Sequence, residues 1–241
     1  FAYNLPNDLF EKIVHDSLSE RGAGITDLEF SFNPELAPQN LLFEQAEMIE
    51  KMPPHERQKQ EARLREIKVV LIRTMISDQL AYVKIAKDWF TIADLSEIRL
   101  HKIGQGKIGG KAAGMLLAAR ILAECGDGEI LASLHLPESY FLGADLTYTF
   151  MALNGLMPWI DQKYKLEEEI RADYPHIQEE FLEGEFPADI LDKFRSLLDQ
   201  VGQRPLIVRS SSLLEDNFGT SFAGTYESHF LPNQSTPQQN L

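Results

Sequence analysis

Cysteine is nearly absent from this chain, which contains a single one, Cys125, among 241 residues. One cysteine can form neither an internal disulfide nor a cysteine-based zinc cluster. Because Cys125 falls on an apolar helical face, we expect a small buried thiol and not a nucleophile.

Long apolar runs are also missing. No segment approaches the roughly 18 apolar residues that a membrane-spanning helix needs. The first 22 residues contain acidic side chains and no long apolar core, so they do not resemble a signal peptide. We therefore expect a cytoplasmic protein with no membrane association. Without a secretion signal, we interpret the glycosylation sequence Asn233-Gln234-Ser235 as chance.

Positive charge is scarce. The chain has 23 Lys and Arg against 37 Asp and Glu, which gives a net charge of −14 and a sequence pI of about 4.9. This balance argues against a surface for nucleic acid or for an anionic membrane. A small anion such as ATP needs only local positive charge. Four candidate cations lie from residue 102 onward: Lys102, Lys107, Lys111 and Arg209.

The first hundred residues have mainly helical periodicity. We predict a first helix from Asn7 or Asp8 to near Gly22, a second over residues 41–52, and a short helix over 91–100 with Leu95 and Ile98 facing inward. Residues 56–90 contain no helix breaker. Their apolar stripe fits either core packing or a coiled-coil seam, and core packing is the preferred interpretation. The members of this stripe are Val69, Ile72, Met75, Ile76, Leu80, Val83 and Ala86.

Residues 206–230 carry most of the functional information. Leu206, Ile207 and Val208 form an apolar run that suits a strand covered on both faces. Arg209 and three serines follow, a combination that suits a phosphate group because the guanidinium is a permanent cation with a planar donor fork. After a loop with two glycines, residues 225–230 alternate as a second strand. The alternative is a β-hairpin with one solvated arginine.

A second motif starts a helix. Gly109-Gly110-Lys111 opens an alanine-rich apolar segment that runs to Cys125, with Gly126 as its stop. Free N–H groups at a helix start, together with the positive end of the helix dipole, make an anion site. The alternative is a glycine-capped surface helix with an exposed lysine.

Together the two motifs resemble the nucleotide-binding domain of the phosphoenolpyruvate synthase and pyruvate phosphate dikinase family, over roughly residues 101–232. That domain has an ATP-grasp-like fold. Ser139 stands where the family usually has glycine in its Pro-x-Gly-Phe strand, and Ser228 stands where it has threonine. The matching residues are Gly109-Gly110-Lys111, Val208-Arg209-Ser210-Ser211, Glu215-Asp216, Ser221-Phe222-Ala223-Gly224 and Glu227-Ser228.

The resemblance implies a role for each matching residue. Lys111 would contact the ATP phosphates, and Arg209, with Ser210 beside it, would hold the terminal phosphate. Gly224 would bring loop backbone over the nucleotide, and Ser228 would lie near the phosphates. The family's Mg²⁺ would bridge the phosphates. No metal ligand is assigned within this chain, because the resemblance implies that the metal-binding acidic residue and the adenine contacts follow further on.

Two other nucleotide-binding motifs match this sequence only in part. Residues 104–109 match the dinucleotide fingerprint G-x-G-x-x-G, but that motif requires a buried strand before it, and residues 97–102 are charged and weakly apolar. A phosphate-binding P-loop fails because Gln105 and Ala112 occupy its required glycine and hydroxyl positions. We therefore expect neither site.

The sequence as a whole predicts an α/β (α+β) protein: a helical accessory region over 1–100 and the first part of an ATP-grasp-like domain over 101–241. The chain starts with Phe1 and ends where a new helix begins, so we expect a piece of a longer protein. The resemblance implies an ATP-dependent dikinase whose phosphoryl group passes through a histidine on a further domain to pyruvate, or in relatives to a glucan or an antibiotic. The alternative is a non-catalytic protein in which the helical region binds a partner and the nucleotide domain is inert or a sensor.

Overall fold

The structure of the chain is a computed structural model that describes Leu9 and residues 33–212 and 227–240. The helix predicted from Asn7 or Asp8 to near Gly22 lies outside the described residues. The described part is mainly helical with short strands, and this confirms the α/β (α+β) class with a helical first region. No helix in this part of the chain is both long enough and apolar enough to cross a membrane.

The chain divides into two compact units. One takes the chain up to Thr74 together with Asp78–Glu97, and the other takes Met75–Ser77 and the chain from Ile98 onward. Compactness alone does not define a functional domain, so the division into 1–100 and 101–241 stays a prediction.

Helices make up the regular structure described in the first unit. A short 3₁₀ turn, Pro34–Leu36, is capped by Asn33, whose side-chain oxygen accepts the backbone N–H of Glu35 at 3.0 Å. The helices predicted over 41–52 and 91–100 are confirmed to within two residues at each end. In chain order the helices are α1 (Gln39–Lys51), α2 (Pro54–Met75), α3 (Leu80–Trp89) and α4 (Ile92–Leu100).

The long segment without helix breakers forms two helices. α2 ends at Met75, and α3 begins only at Leu80. The carbonyl oxygen of Met75 accepts the backbone N–H of Ile108 at 3.0 Å. A long-range hydrogen bond thus falls where the helix stops, and local sequence gives no sign of it.

The apolar stripe of this segment packs into a core. Ile72, Met75, Ile76, Val83 and Ala86 are buried, as are Leu95 and Ile98 of α4. Val69 is half-buried, and Leu80, the first residue of α3, is exposed. The preferred interpretation, core packing, is therefore confirmed for every member of the stripe except Val69 and Leu80.

The second unit begins with a strand–helix–strand arrangement: β1 (Lys102–Ile103), α5 (Gly110–Cys125), α6 (Gly128–Ser133) and β2 (Phe141–Leu142). β1 and β2 pair in parallel, with Lys102 opposite Phe141 and Ile103 opposite Leu142. Parallel neighbours require a crossover connection, which α5 and α6 provide.

Helix α5 has the predicted ends. Gly109 is its N-cap and Gly126 its C-cap, as expected. Its buried residues are Ala113, Leu117 and Ala119, and Met115 and Leu122 are exposed. Cys125 is exposed too, which contradicts the expected buried thiol, because it lies in the last turn beyond the buried part of the helix.

A helical layer with an aromatic core follows: α7 (Asp145–Leu153), a 3₁₀ helix (Met157–Tyr164), α8 (Glu167–Glu183) and α9 (Ala188–Val201). Ring centroids of Phe150 and Phe186 are 4.8 Å apart, and those of Phe186 and Phe194 are 5.5 Å apart. Met151 and Leu156 are buried. Leu153 and Met157 are exposed, because each lies at the end of its helix.

The last strands, β3 (Leu206–Arg209) and β4 (Ser228–Leu231), form an antiparallel two-stranded ribbon, followed by α10 (Pro237–Asn240). Both strands were predicted near these positions. The expectation that β3 is covered on both faces is wrong, since Ile207 and Val208 are exposed. Within the described residues β3 pairs with β4 alone.

Asn233 fixes the turn that leads into this ribbon. It is buried, has a φ of 53°, and donates from its side-chain amide to the carbonyl oxygens of Gly202 at 2.6 Å and Arg204 at 3.2 Å. Its amide is therefore engaged inside the protein, which agrees with the interpretation of the glycosylation sequence as chance.

The core of the first unit provides a test of the fold. Leu71 is 0% exposed and Leu80 is 74% exposed. We expect Leu71→Ala to lower the free energy of unfolding by about 2–5 kcal/mol because it leaves a cavity. Leu80→Ala, the matched control, should change it by less than about 0.5 kcal/mol. Urea denaturation measures both, and equal effects would contradict the described core.

Candidate functional site

Lys111 lies in the first turn of α5, directly after Gly109 and Gly110. Its side chain is half-buried. Lysine at this place adds a side-chain cation to the positive end of the helix dipole.

The start of α5 is covered by the segment that follows β3. The backbone N–H of Gly110 donates to the carbonyl oxygen of Ser212 at 2.9 Å, and that of Ala112 donates to the Ser211 hydroxyl oxygen at 3.2 Å. The expected anion site made of free N–H groups is therefore wrong for these two groups. The serines of the Arg-Ser-Ser motif, and not an external anion, satisfy them.

Gly109 is required by this contact. A Cβ atom at Gly109 would lie 1.2 Å from the backbone oxygen of Ser211 and 2.4 Å from its hydroxyl oxygen. No L-side chain fits there without moving the backbone. The first glycine of the motif thus permits a contact between two segments of the protein.

Arg209 and Ser228 lie opposite each other in the ribbon. Cross-strand partners in an antiparallel pair project to the same face, with Cβ atoms about 5 Å apart. Ile207 and Phe230 form the next pair on that face. The guanidinium and the hydroxyl that the resemblance implicates therefore share one side of the ribbon, and Arg209 is exposed.

The remaining site residues follow from this register. Ser210 comes directly after the last residue of β3, and Gly224 lies outside the described residues. His229 pairs with Val208, so it lies on the face opposite Arg209.

The two motifs meet through Ser211. Arg209 precedes Ser211 by two residues, a span of at most ~7 Å. Ser211 in turn contacts Ala112, the neighbour of Lys111. The backbone near Arg209 and the backbone near Lys111 are thus adjacent. That both side chains face one pocket stays a prediction.

Sequence analysis missed the role of Asp145, the first residue of α7. Its carboxylate accepts the backbone N–H groups of Gln105 at 2.8 Å and Gly106 at 2.6 Å. From the other side, the Lys102 ammonium donates to the carbonyl oxygens of Gln105 at 3.0 Å and Gly106 at 2.8 Å. The available signal in the sequence was a set of glycines. Gly104 and Gly106 follow β1, and Gly143 follows β2, the strand that pairs with β1.

This loop explains the match to the dinucleotide fingerprint. Contrary to our expectation, a short strand, β1, does precede residues 104–109, and Ile103 in it is buried. The N–H groups of Gln105 and Gly106, however, are already bonded to the Asp145 carboxylate. The loop therefore holds an internal anion, and a dinucleotide pyrophosphate would have to displace it.

The charge state of Lys102 is shifted by its surroundings. Burial lowers the pKa of Lys102 from 10.5 to about 8, and the nearby Asp145 carboxylate opposes this effect. Among the described residues, no three His, Cys, Asp or Glu side chains are grouped so that they could hold a metal ion. A preformed magnesium cage is therefore not found in that part of the chain.

Comparison with known proteins identifies one family. The model for the AMP/ATP-binding domain of pyruvate phosphate dikinase matches residues 105–241, more than half of the chain. No curated protein and no solved structure gives a match.

The contact between Gly109 and Ser211 predicts opposite effects for two glycine substitutions in one motif. Gly109→Ala should lower the free energy of unfolding by more than about 1 kcal/mol, because the new Cβ overlaps the Ser211 backbone. Gly114→Ala is the control: nothing lies within 4 Å of its new Cβ. Inside a helix, alanine should raise stability by about 0.5–1 kcal/mol. Chemical denaturation of both variants decides, and a neutral Gly109→Ala would contradict the described contact.

The shifted pKa of Lys102 predicts a pH dependence of stability. Between about 8 and 10.5 the unfolded chain binds more protons than the folded chain, so the contribution of Lys102 to stability rises with pH. Lys102→Met should remove this rise. Unfolding free energies of wild type and variant, measured across this window, should diverge as the pH increases. Parallel curves would contradict the prediction, and Lys193→Met, at an exposed position of α9, controls for loss of a lysine charge.

Proposed function

This chain belongs to the pyruvate phosphate dikinase family through its AMP/ATP-binding domain, and on this premise we propose that it is the ATP-binding part of a dikinase resembling phosphoenolpyruvate synthase. In the proposed reaction, a phosphoryl group passes from ATP to a histidine on a further domain and from there to pyruvate. The task of the present chain is to bind ATP and hold its phosphates in place.

One observation carries the proposal: Arg209 and Ser228 are directly opposed on the ribbon, and the serine two residues after Arg209 contacts the start of the helix that carries Lys111. The cations of Arg209 and Lys111 and the hydroxyl of Ser228 thus belong to adjacent backbone segments. This set suits a polyphosphate, whose charge extends over several atoms.

The proposed roles follow from side-chain chemistry. Arg209 binds the terminal phosphate through its planar donor fork, and Lys111 contacts the phosphate chain as a point charge. The hydroxyls of Ser210 and Ser228 donate to phosphate oxygens, and backbone at Gly224 lies over the nucleotide. Phosphoryl transfer depends mainly on positioning and on charge neutralisation, and side chains of this kind supply both.

The cover on α5 limits how the phosphates bind. While Ser211 and Ser212 accept the N–H groups of Ala112 and Gly110, those groups cannot bind a phosphate oxygen. We therefore propose that the phosphates are held by side chains of Lys111 and Arg209 and not by the helix start itself.

Magnesium would bind together with the nucleotide. Nucleotide-bound Mg²⁺ is commonly held by one or two carboxylates together with the phosphates. The described residues contain no group of three suitable side chains.

The site is tested by ATP affinity. Arg209→Ala should weaken ATP binding by about 1.5–3 kcal/mol, the range for hydrogen bonds to charged groups. Lys111→Met, which removes the charge and keeps most of the length, should act similarly. The two effects need not add, because both residues address one phosphate chain. Titration calorimetry with ATP and magnesium gives both values.

The controls remove like charges elsewhere in the same unit. Arg195→Ala removes an exposed arginine that pairs with Asp192 on α9, and Lys193→Met removes an exposed lysine of the same helix. Both should leave ATP affinity unchanged. If Arg209→Ala and Lys111→Met fold and bind ATP like the controls, the proposed site is wrong.

A further inference from the structure

The loop between β1 and α5 is fixed by groups from three other segments. The carboxylate of Asp145 holds the N–H groups of Gln105 and Gly106, and Lys102 holds the carbonyl oxygens of the same two residues. The carbonyl oxygen of Lys107 accepts the backbone N–H of Ala144 at 3.1 Å. The next residue, Ile108, donates to Met75. Four successive residues are therefore held in place immediately before Gly109.

The glycines of both segments make room for the carboxylate. Gly104 has a φ of +90°, which favours glycine, and a Cβ there would lie 2.7 Å from an Asp145 carboxylate oxygen. A Cβ at Gly106 would lie 2.7 Å and one at Gly143 2.3 Å from the same oxygen. Three glycines from two loops thus surround one carboxylate. Asp145 also begins α7, where the helix dipole favours a negative charge.

The position of Lys111 depends on this loop. Lys111 is only two residues beyond Gly109, the N-cap of α5, and Gly109 directly follows the fixed segment. The helix start cannot shift without breaking the hydrogen bonds of residues 105–108. A change in Asp145 should therefore be felt at Lys111, although Asp145 is bonded to Gln105 and Gly106 and not to Lys111.

We infer that Asp145 is a positioning residue of the nucleotide site. Its carboxylate fixes the shape of the loop of residues 104–107. This loop sets the place where α5 begins and thereby the position of Lys111. The inference rests on the proposed function, since it assumes that Lys111 binds ATP phosphates. The N–H groups of this loop bind the internal carboxylate of Asp145. The loop then affects ATP binding only through the position of Lys111.

The test uses Asp145→Ala and a small carboxylate. Removing the side chain leaves a pocket lined by two free N–H groups and three glycines, which formate can enter. Asp145→Ala should weaken the binding of ATP with magnesium by roughly tenfold, the factor of one charged hydrogen bond. Sodium formate should restore most of this loss, whereas sodium chloride at the same ionic strength should not.

Asp127→Ala is the matched control. Asp127 also accepts two backbone N–H groups, of Glu129 at 3.1 Å and Ile130 at 2.9 Å, but it lies beyond the other end of α5. Its loss should leave ATP affinity unchanged. Asp145→Asn keeps the size of the side chain and removes its charge, so it replaces Asp145→Ala if the alanine variant does not fold. Hydrogen exchange of the amides at Gln105 and Gly106 should be faster in either Asp145 variant. This rate reports the loss of the loop's hydrogen bonds independently of ATP.

The outcomes separate the inference from the proposed function. If Lys111→Met weakens ATP binding but a folded Asp145 variant binds ATP like wild type, the positioning role is overturned and the ATP site stands. In Asp145→Ala, where the pocket is open, a loss that formate does not restore would likewise overturn the role of the carboxylate in the loop. If Lys111→Met has no effect, the proposed site fails, and the positioning role fails with it even where the exchange rates at Gln105 and Gly106 change.

Discussion

The contact between the start of α5 and the segment after β3 is the constraint on which the candidate site depends. Two N–H groups of the helix, at Gly110 and Ala112, are bonded to Ser212 and Ser211, and the approach is so close that a Cβ at Gly109 would lie 1.2 Å from the Ser211 backbone. Residues about a hundred positions apart in the chain are joined here. The first N–H groups of a helix have no acceptor within it, and this contact supplies acceptors for two of them. It joins the two motifs into one structure.

Local patterns were sufficient for elements whose ends are set by their own residues. Helix α5 starts after Gly109 and ends before Gly126, as the glycines on either side of its apolar segment indicated. The division of residues 56–90 could not be predicted in this way. No proline or glycine marks it, and a long-range hydrogen bond from Ile108 to Met75 lies at the break. Likewise an apolar run predicted that β3 is a strand, but burial depends on neighbouring elements, and Ile207 and Val208 are exposed.

The candidate site likewise could be predicted from the sequence only in part. Residue types indicated Lys111 and Arg209, and the resemblance to a family added Ser228. The comparison confirms the family, and the roles of the three residues stay predictions. Only the structure shows that Arg209 and Ser228 are cross-strand partners, since the register is a relation between two distant segments. Asp145 escaped sequence analysis for a similar reason. An aspartate in the first turn of a helix is ordinary, and its bonds to Gln105 and Gly106 become visible only when β1 and β2 are seen to pair.

Glycine-rich loops and helix starts are commonly interpreted as anion sites because their N–H groups are free. In this protein both kinds of site are filled from within: the Asp145 carboxylate takes the loop amides, and two serine oxygens take the start of α5. The ammonium of Lys102 is likewise bonded to backbone carbonyls, so one of the four candidate cations serves the loop itself. Backbone donors that are already satisfied cannot also bind a phosphate. On the proposed function, phosphates at the start of α5 are then bound by side chains on the adjacent segments, and the glycines, by allowing those segments to approach, determine where these side chains lie.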